Sequence, residues 1–209
     1  MNARDLILAR ARAAGRDTAD SPQRRLTDRP RASLPPLEAD LSTRFAARAQ
    51  SLSNDVLGPM PITEVPAAVA GYLREHGLPP QAACWPEQAA LPWRNAGVDV
   101  ATRPATADDL VGITGAFAGI AETGSLMLHS GAATPAAGSL LPETHVALLP
   151  VSRIVARMED GFALLRHAAG GAWLRGVWFV SGPSRTADIE QTITLGAHGP
   201  YRVLIVLTT

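Results

Sequence analysis

The sequence predicts an α/β fold, a mostly parallel β-sheet with flanking helices. Short apolar runs rich in β-branched residues alternate with segments of helical periodicity, most clearly in the C-terminal half. A strand, a helix and a second strand at this spacing require a crossover connection, which makes the two strands parallel. The chain has 209 residues, 46% of them hydrophobic, enough for one domain with a sizeable core and a short N-terminal extension.

The first 36 residues are predicted to lie outside the folded domain. Residues 2–14 have the pattern of a short amphipathic helix that ends at Gly15. Residues 16–36 are rich in Arg and Pro and too poor in apolar residues to order themselves, which favours a flexible arm or linker. We therefore place the folded domain at residues 40–209, after this N-terminal helix and arm.

Two helices open the predicted domain. The first has apolar residues at helical spacing over 41–52, and the second follows Thr63 and ends at Gly77. Short apolar runs over 82–85 and 98–101 are then typical of strands.

The middle of the domain carries turn signals. Thr106 with Asp109 three residues later resembles the capping box that begins a helix. Residues 111–130 are rich in β-branched and small residues around a Thr-Gly turn at 123–124, which predicts a hairpin-like pair of strands. Glu122 is expected at or beside that turn.

The C-terminal half is predicted to supply the parallel sheet. Its elements follow in the order strand 145–150, helix 158–165, strand 177–181, helix 186–195 and strand 201–207.

The first candidate site follows the strand at 177–181. Gly182, Ser184, Arg185 and Thr186 lie between this strand and a predicted helix, at the sheet edge where open α/β proteins bind ligands. Free N–H groups at a helix start, two hydroxyls and a guanidinium suit a carboxylate or phosphate. A plain helix cap formed by Ser184 or Thr186 explains the same residues equally well.

Two further candidates are acid–base residues. Glu122, within the small-residue turn 121–125, would be a base or covalent nucleophile if a cleft held it, and otherwise a plain turn acid. Glu143 and His145 face one side of an extended segment and would form an acid–base pair, or metal ligands together with His198. No dense ligand motif is present, so we predict no metal site.

Composition excludes several function classes. The 19 basic and 19 acidic residues balance, and aromatic residues are few, which argues against nucleic acid as a partner. We expect a cytoplasmic protein, because there is no apolar run long enough to span a membrane and no secretory signal. Cys84 is the single cysteine, so the chain has no disulfide, CxxC zinc site or conventional iron–sulfur cluster, and we expect a buried thiol rather than a nucleophile.

A family resemblance rests on five strings that occur in this order: GITGAFAGIAETGSLML, LLPETHVALLPVSRIV, MEDGFALL, SGPSRTADIEQT and LGAHGP. Together they resemble the lactate-utilisation (LUD) domain family, in particular its C-type lactate-utilisation proteins. The resemblance runs from about Val98 to the C-terminus, whereas residues 1–97 match only loosely.

The resemblance implies a fold like that of the NagB/RpiA/CoA-transferase group. It also implies a subunit of a bacterial system that oxidises L-lactate to pyruvate, beside two partner subunits that contain iron–sulfur clusters, with no cofactor in this chain. Whether the chain is itself an enzyme stays open. The alternatives are a stand-alone enzyme or binding protein for an acyl-CoA or phosphorylated metabolite, using Glu122 and the 182–186 loop with a small anionic ligand, or motifs that serve only the fold.

Overall fold

The computed structural model divides into two compact units, Met1–Pro36 and Leu37–Thr209. It describes residues 3–14, 35–37, 40–170, 174–186 and 194–209. The first unit contains helix α1 (Ala3–Ala14), whose side chains are exposed over residues 3–13. Most of the predicted arm at 16–36 lies outside the described residues.

The second unit contains the remaining described elements, and they confirm the predicted α/β class. Its helices are α2 (Leu41–Ser51), α3 (Val65–Glu75), α4 (Pro86–Ala89), α5 (Ala137–Leu140) and α6 (Met158–Ala169). Its strands are β1 (Asp55–Met60), β2 (Gln81–Cys84), β3 (Asp99–Thr102), β4 (Val111–Gly115), β5 (Ala118–Ile120), β6 (Ser125–His129), β7 (Thr144–Pro150), β8 (Ile154–Val155), β9 (Val177–Val180), β10 (Arg185–Thr186), β11 (Thr194–Leu195) and β12 (Arg202–Thr208). In the described part of the chain, none of the helices has the length and apolar character needed to cross a bilayer.

A six-stranded parallel sheet forms the middle layer, with strand order β1-β12-β7-β4-β2-β3. Strands β7 and β12 are almost completely buried, as expected of parallel strands that are covered on both faces. Side chains alternate between the faces: Val146 and Leu148 pack towards α3, while Ala147 and Leu149 pack towards α2. The predicted parallel sheet is thus confirmed for these strands.

Helices α2 and α3 begin and pack as the sequence indicates. Asp40 caps α2, because its Oδ1 accepts hydrogen bonds from the backbone N–H groups of Ser42 and Thr43, each at 3.1 Å. The apolar face of α2 places Phe45 at 0% exposure in the core. Helix α3 buries Val69 in the same way on the opposite face of the sheet.

A second, four-stranded sheet covers the α2 side, with strand order β8-β5-β6-β9. Strands β5 and β6 form the hairpin with the predicted turn, but β4 is not its partner and lies in the parallel sheet. The predicted parallel position of the strand at 177–180 is wrong. It pairs antiparallel with β6, because the chain returns along the hairpin after α6 instead of crossing over to the larger sheet.

Two predicted helices are also corrected. Thr186 pairs with Thr194 in the two-stranded ribbon β10–β11, so the ends of the expected 186–195 helix are strands, and residues 187–193 lie outside the described residues. No helix follows Thr106. The Asp109 carboxylate accepts from the Thr106 backbone N–H at 2.7 Å, but it also binds Arg103, and the chain enters β4 directly.

Candidate functional site

The Glu122 turn joins β5 to β6 and lies against α2. Gly124 has a φ of +70°, and a Cβ built there would lie 2.5 Å from the backbone nitrogen of Ala49. Only glycine fits both that conformation and that approach. The backbone N–H of Glu122 donates to the Ala156 carbonyl at 3.0 Å, which fixes the turn from the other side.

The carboxylate of Glu122 is engaged by Arg157. The Arg157 guanidinium donates to Glu122 Oε1 at 2.8 Å, and the side chains are 14% and 36% exposed, respectively. Arg157 precedes α6, and its backbone N–H donates to Asp160 Oδ2 at 3.0 Å in a capping interaction. The ion pair therefore ties the hairpin turn to the start of α6, which is a structural role for Glu122. A role as base or nucleophile stays a prediction.

The structure brings the 182–186 loop to the Glu122 turn. The hydroxyls of Ser125 and Ser181 share a hydrogen bond of 2.6 Å. Gly182 has a φ of +118°, and a Cβ at this position would overlap the carbonyl of Leu52 at the end of α2. Arg185 donates to the hydroxyl of Ser53, so both motifs lie against the C-terminal end of α2.

Ser184 bonds the segment at residues 198–200 and does not cap a helix. Its N–H donates to the Pro200 carbonyl at 2.8 Å, and its Oγ accepts from the backbone N–H of His198 at 3.2 Å. Since Ser184 enters the β10–β11 ribbon, the anion site expected at a helix N-terminus is not formed there. The ligand-binding role of this loop stays a prediction without that support. The residues concerned are Gly182, Ser184, Arg185 and Thr186.

His145 is packed inside the parallel sheet, at the amino end of β7. It is completely buried, its Nε2 bonds the hydroxyl of Thr114 at 2.8 Å, and burial lowers the pKa of His145 to about 4. Glu143 is exposed and accepts from Arg202 at 2.6 Å, so the predicted acid–base pair is not formed. In the described ranges, no three His, Cys, Asp or Glu side chains come together as metal ligands.

A cleft opens at the other end of the parallel sheet, where β2, β4, β7 and β12 finish. Its volume is about 310 Å³. Side chains from several strand ends converge at this edge, which is why open α/β sheets bind ligands there. The cleft residues with polar or charged side chains are Glu87, Gln88, His129, Thr134, Arg153 and Thr208.

Apolar and aromatic neighbours fix these polar groups. The indole of Trp85 donates to the Pro135 carbonyl at 3.1 Å and so anchors the turn that carries Thr134. The Phe117 ring meets the His129 ring edge-on, with centroids 5.2 Å apart. The Arg153 guanidinium lies 5.7 Å from the centroid of the Phe117 ring. These contacts orient the imidazole and the guanidinium at the cleft.

The position of the Gln88 side chain depends on Gly115, which lies opposite it. A Cβ at Gly115 would lie 2.7 Å from Gln88 Nε2, so the absence of a side chain at the end of β4 leaves room for this amide. The indole of Trp93 donates to the Gln88 carbonyl at 2.7 Å and holds its backbone.

The predicted site residues do not line this cleft. Phe117 and His129 lie at its wall, and the hairpin β5–β6 leads from them to Glu122, with strands of three and five residues. At about 3.3 Å per residue along the strands, the Glu122 turn lies roughly 10–15 Å from the wall of the cleft. The signal that would have found the cleft is positional, since its residues follow the carboxyl ends of predicted parallel strands.

Comparisons with known proteins support both the fold and the motifs. A family model described as the LUD domain matches residues 81–208. Lactate utilization protein C of Shouchella clausii is 37% identical over 98 residues, which cover 46% of this chain and 43% of that protein. The protein of the same name from Bacillus subtilis is 29% identical over 179 residues, covering 83% of this chain and 72% of that one. The matched part spans about half the length of the first two such relatives.

A solved structure shows the same fold. The crystal structure of a DUF162 family protein from Deinococcus radiodurans superposes with a TM-score of 0.64 at 21% identity, covering 83% of this chain and all of that chain. A likeness at this identity concerns the fold alone.

Proposed function

Because this chain belongs to the LUD domain family, we propose that it serves in lactate utilisation, as a subunit of a system that oxidises L-lactate to pyruvate. One observation carries the proposal: relatives named lactate utilization protein C match this chain, and the family model spans residues 81–208, which include the Glu122 turn and nearly all of the cleft. Because the matched part is about half of the first two relatives, the activity of the whole protein is part of this proposal.

The chemistry of the reaction supports a role for partner subunits. Oxidation of L-lactate to pyruvate removes two electrons and two protons, so an electron acceptor is required. Iron–sulfur clusters are held by several cysteine thiolates, and this chain has only Cys84. Cys84 is 1% exposed, and burial raises its pKa to about 12, so it stays a thiol near neutral pH. The family resemblance implies two iron–sulfur-containing partner subunits, so we propose that the electron path runs through them and that this chain has a binding or assembly role.

Growth of the host strain tests the proposed role. We expect deletion of the gene to abolish growth on L-lactate as the carbon source and to leave growth on glucose unchanged, with restoration by the wild-type gene. Unimpaired growth of the deletion strain on L-lactate would contradict the proposal.

Co-purification tests the proposed partners separately. A tagged full-length chain is expected to recover two cysteine-rich proteins from cells grown on L-lactate, and their iron and acid-labile sulfide content identifies the clusters. If the deletion strain fails to grow but the chain purifies alone, the lactate role stands and the assembly with iron–sulfur partners is wrong.

A further inference from the structure

Three side chains around the edge cleft have buried polar atoms without a hydrogen-bond partner in the described ranges. These atoms are Gln88 Oε1, His129 Nδ1 and Thr134 Oγ1, and all three residues line the cavity. Gln88 is only 7% exposed. Buried polar groups in folded proteins nearly always have a partner, so three of them on residues around one cavity favour an occupant that supplies hydrogen bonds once these side chains turn towards it. Water or a polar ligand meets that requirement.

Arg153 favours an anionic ligand. Its side chain is exposed at the rim of the cleft, held over Phe117, and it forms no ion pair with the described residues. By contrast, Arg103 and Arg202 bind carboxylates of this chain directly. A guanidinium left available beside a cavity is suited to a carboxylate or a phosphate.

The other groups limit the size and chemistry of the ligand. A cavity of about 310 Å³ is at the small end of the range for ligand pockets, which fits a small metabolite and not a nucleotide or an acyl-CoA. The Glu87 carboxylate also lines the cleft and disfavours a second negative group there. Gln88 Oε1 is an acceptor, so the ligand needs a hydrogen-bond donor such as a hydroxyl.

We propose that this cleft binds a small hydroxylated organic anion. Its carboxylate or phosphate pairs with Arg153, and its hydroxyl groups bond Gln88, His129 and Thr134, while Trp85 and Phe117 contact its carbon skeleton. This site goes beyond the proposed role in lactate oxidation and does not depend on it, because the argument uses only the residues of the cleft.

Calorimetric titration of the full-length chain tests the site with four probes. L-Lactate represents the hydroxycarboxylates, glycerol 3-phosphate the hydroxylated phosphate esters, and propionate and inorganic phosphate provide the anions without the carbon-bound hydroxyl. We expect saturable binding of L-lactate or of glycerol 3-phosphate, with the matching anion at least about tenfold weaker. The probe that binds identifies the anionic group.

Variants locate the binding. Arg153→Ala removes an exposed side chain and Thr134→Val keeps the shape of the side chain, so both are expected to fold, which circular dichroism checks. Each is expected to weaken binding, Arg153→Ala by at least about tenfold, since it removes a charge-assisted contact. Arg166→Ala, an exposed arginine on α6 that does not line the cleft, is the matched control and should leave affinity unchanged.

Two results would contradict the proposed ligand site. One is the absence of saturable binding of either hydroxylated probe up to about 10 mM, which indicates a cleft filled by water alone. The other is binding that Arg153→Ala leaves unchanged in a folded protein. Neither result bears on the proposed role in lactate utilisation, which growth on L-lactate tests.

Discussion

The two sheets of the second unit share buried apolar strands, but the small sheet has an additional set of single contacts at its turn. In the parallel sheet, β7 and β12 lie beside each other with apolar side chains buried on both faces, so its position depends on apolar burial spread over many residues. Strands β5 and β6 of the four-stranded sheet are buried as well, and the turn between them is also fixed by three contacts: Gly124 against α2, Glu122 on Arg157, and Ser125 on Ser181. Sensitivity to mutation should therefore be concentrated at this turn, beside the sensitivity that the buried strands of both sheets share.

The Glu122 turn and the cleft differ in how far sequence motifs mark them. The turn lies wholly within one string of the family resemblance and is a junction between the hairpin, α2 and α6. The cleft lies at the edge of the other sheet, and its lining is mixed: Phe117 and Arg153 fall within the resemblance strings, whereas Gln88 and His129 do not. The complete cleft therefore has to be found from strand topology.

The largest effect is expected from Gly124→Ala. The added Cβ meets the backbone of α2, which is unable to move aside, and the positive φ adds strain, so the free energy of unfolding should fall by about 3 kcal/mol or more. Gly115→Ala in the large sheet is the matched control. There the new Cβ meets the end of the flexible Gln88 side chain, and the expected loss is below about 1 kcal/mol. Urea denaturation of both variants measures the difference, and equal losses would refute the contrast between the tightly packed turn and the end of β4 at the cleft.

The large sheet should show its own sensitivity to pH through His145. Its pKa is about 4 in the folded chain and near 6.5 when unfolded, so the unfolded state binds more protons between these values. The stability contributed by the neutral imidazole is full above pH 6.5 and is lost as the pH falls towards 4, by roughly 3 kcal/mol over the interval.

His145→Gln tests this pH dependence. The variant has no group that titrates at this position, so its free energy of unfolding should fall less steeply than that of the wild type between pH 7 and pH 4.5. Parallel curves for the two proteins would show that His145 is not the group responsible.

A smaller effect is expected at the hydrogen bond between Ser125 and Ser181. Ser125 is 3% exposed, so Ser181→Ala leaves a buried hydroxyl without this partner and should cost about 1–2 kcal/mol. Adding Ser125→Ala removes that hydroxyl and should restore part of the loss. The double-mutant cycle is measured by urea denaturation, and strictly additive losses would mean that the two hydroxyls do not interact.

The smallest effect is expected from Glu122→Gln. Glu122 is 36% exposed, and a partly exposed ion pair contributes little, so the stability should change by less than about 1 kcal/mol. The matched control is Glu143→Gln, whose carboxylate also pairs with an arginine and is 44% exposed. In the reconstituted lactate-oxidising system, turnover should survive Glu122→Gln. Loss of turnover with intact folding and assembly would instead make Glu122 part of a working site.

Much of the parallel sheet followed from the sequence because its strands are locally distinctive. The runs that became β7 and β12 are continuously apolar, and the pattern of α2 and α3 showed which face each buries. Strand β1 was missed, since its Gly58 and Pro59 interrupt the strand pattern. The structure places it at the edge of the sheet, where proline is tolerated.

Local sequence patterns could not predict which strand residues 177–180 pair with, nor which residues converge at the cleft. Nothing within residues 177–180 distinguishes a parallel partner from the antiparallel partner β6, because the choice depends on the direction in which the chain returns. The cleft has the same character: Gln88 and His129 lie outside the strings of the family resemblance, and Arg153 lies in one of them without any neighbouring signal of a ligand site. Only the order of the strands brings them to one cavity.

The position of β12 has a consequence for synthesis on the ribosome. This strand is inserted between β1 and β7, yet in chain order it is the last of the described strands. Until residues 202–208 have emerged, β1 and β7 lack the neighbour that joins them, and each presents unpaired backbone groups to solvent. Such non-local pairing is slow to form. The nascent chain therefore remains exposed to aggregation until β12 has emerged from the ribosome, and the large sheet closes only then.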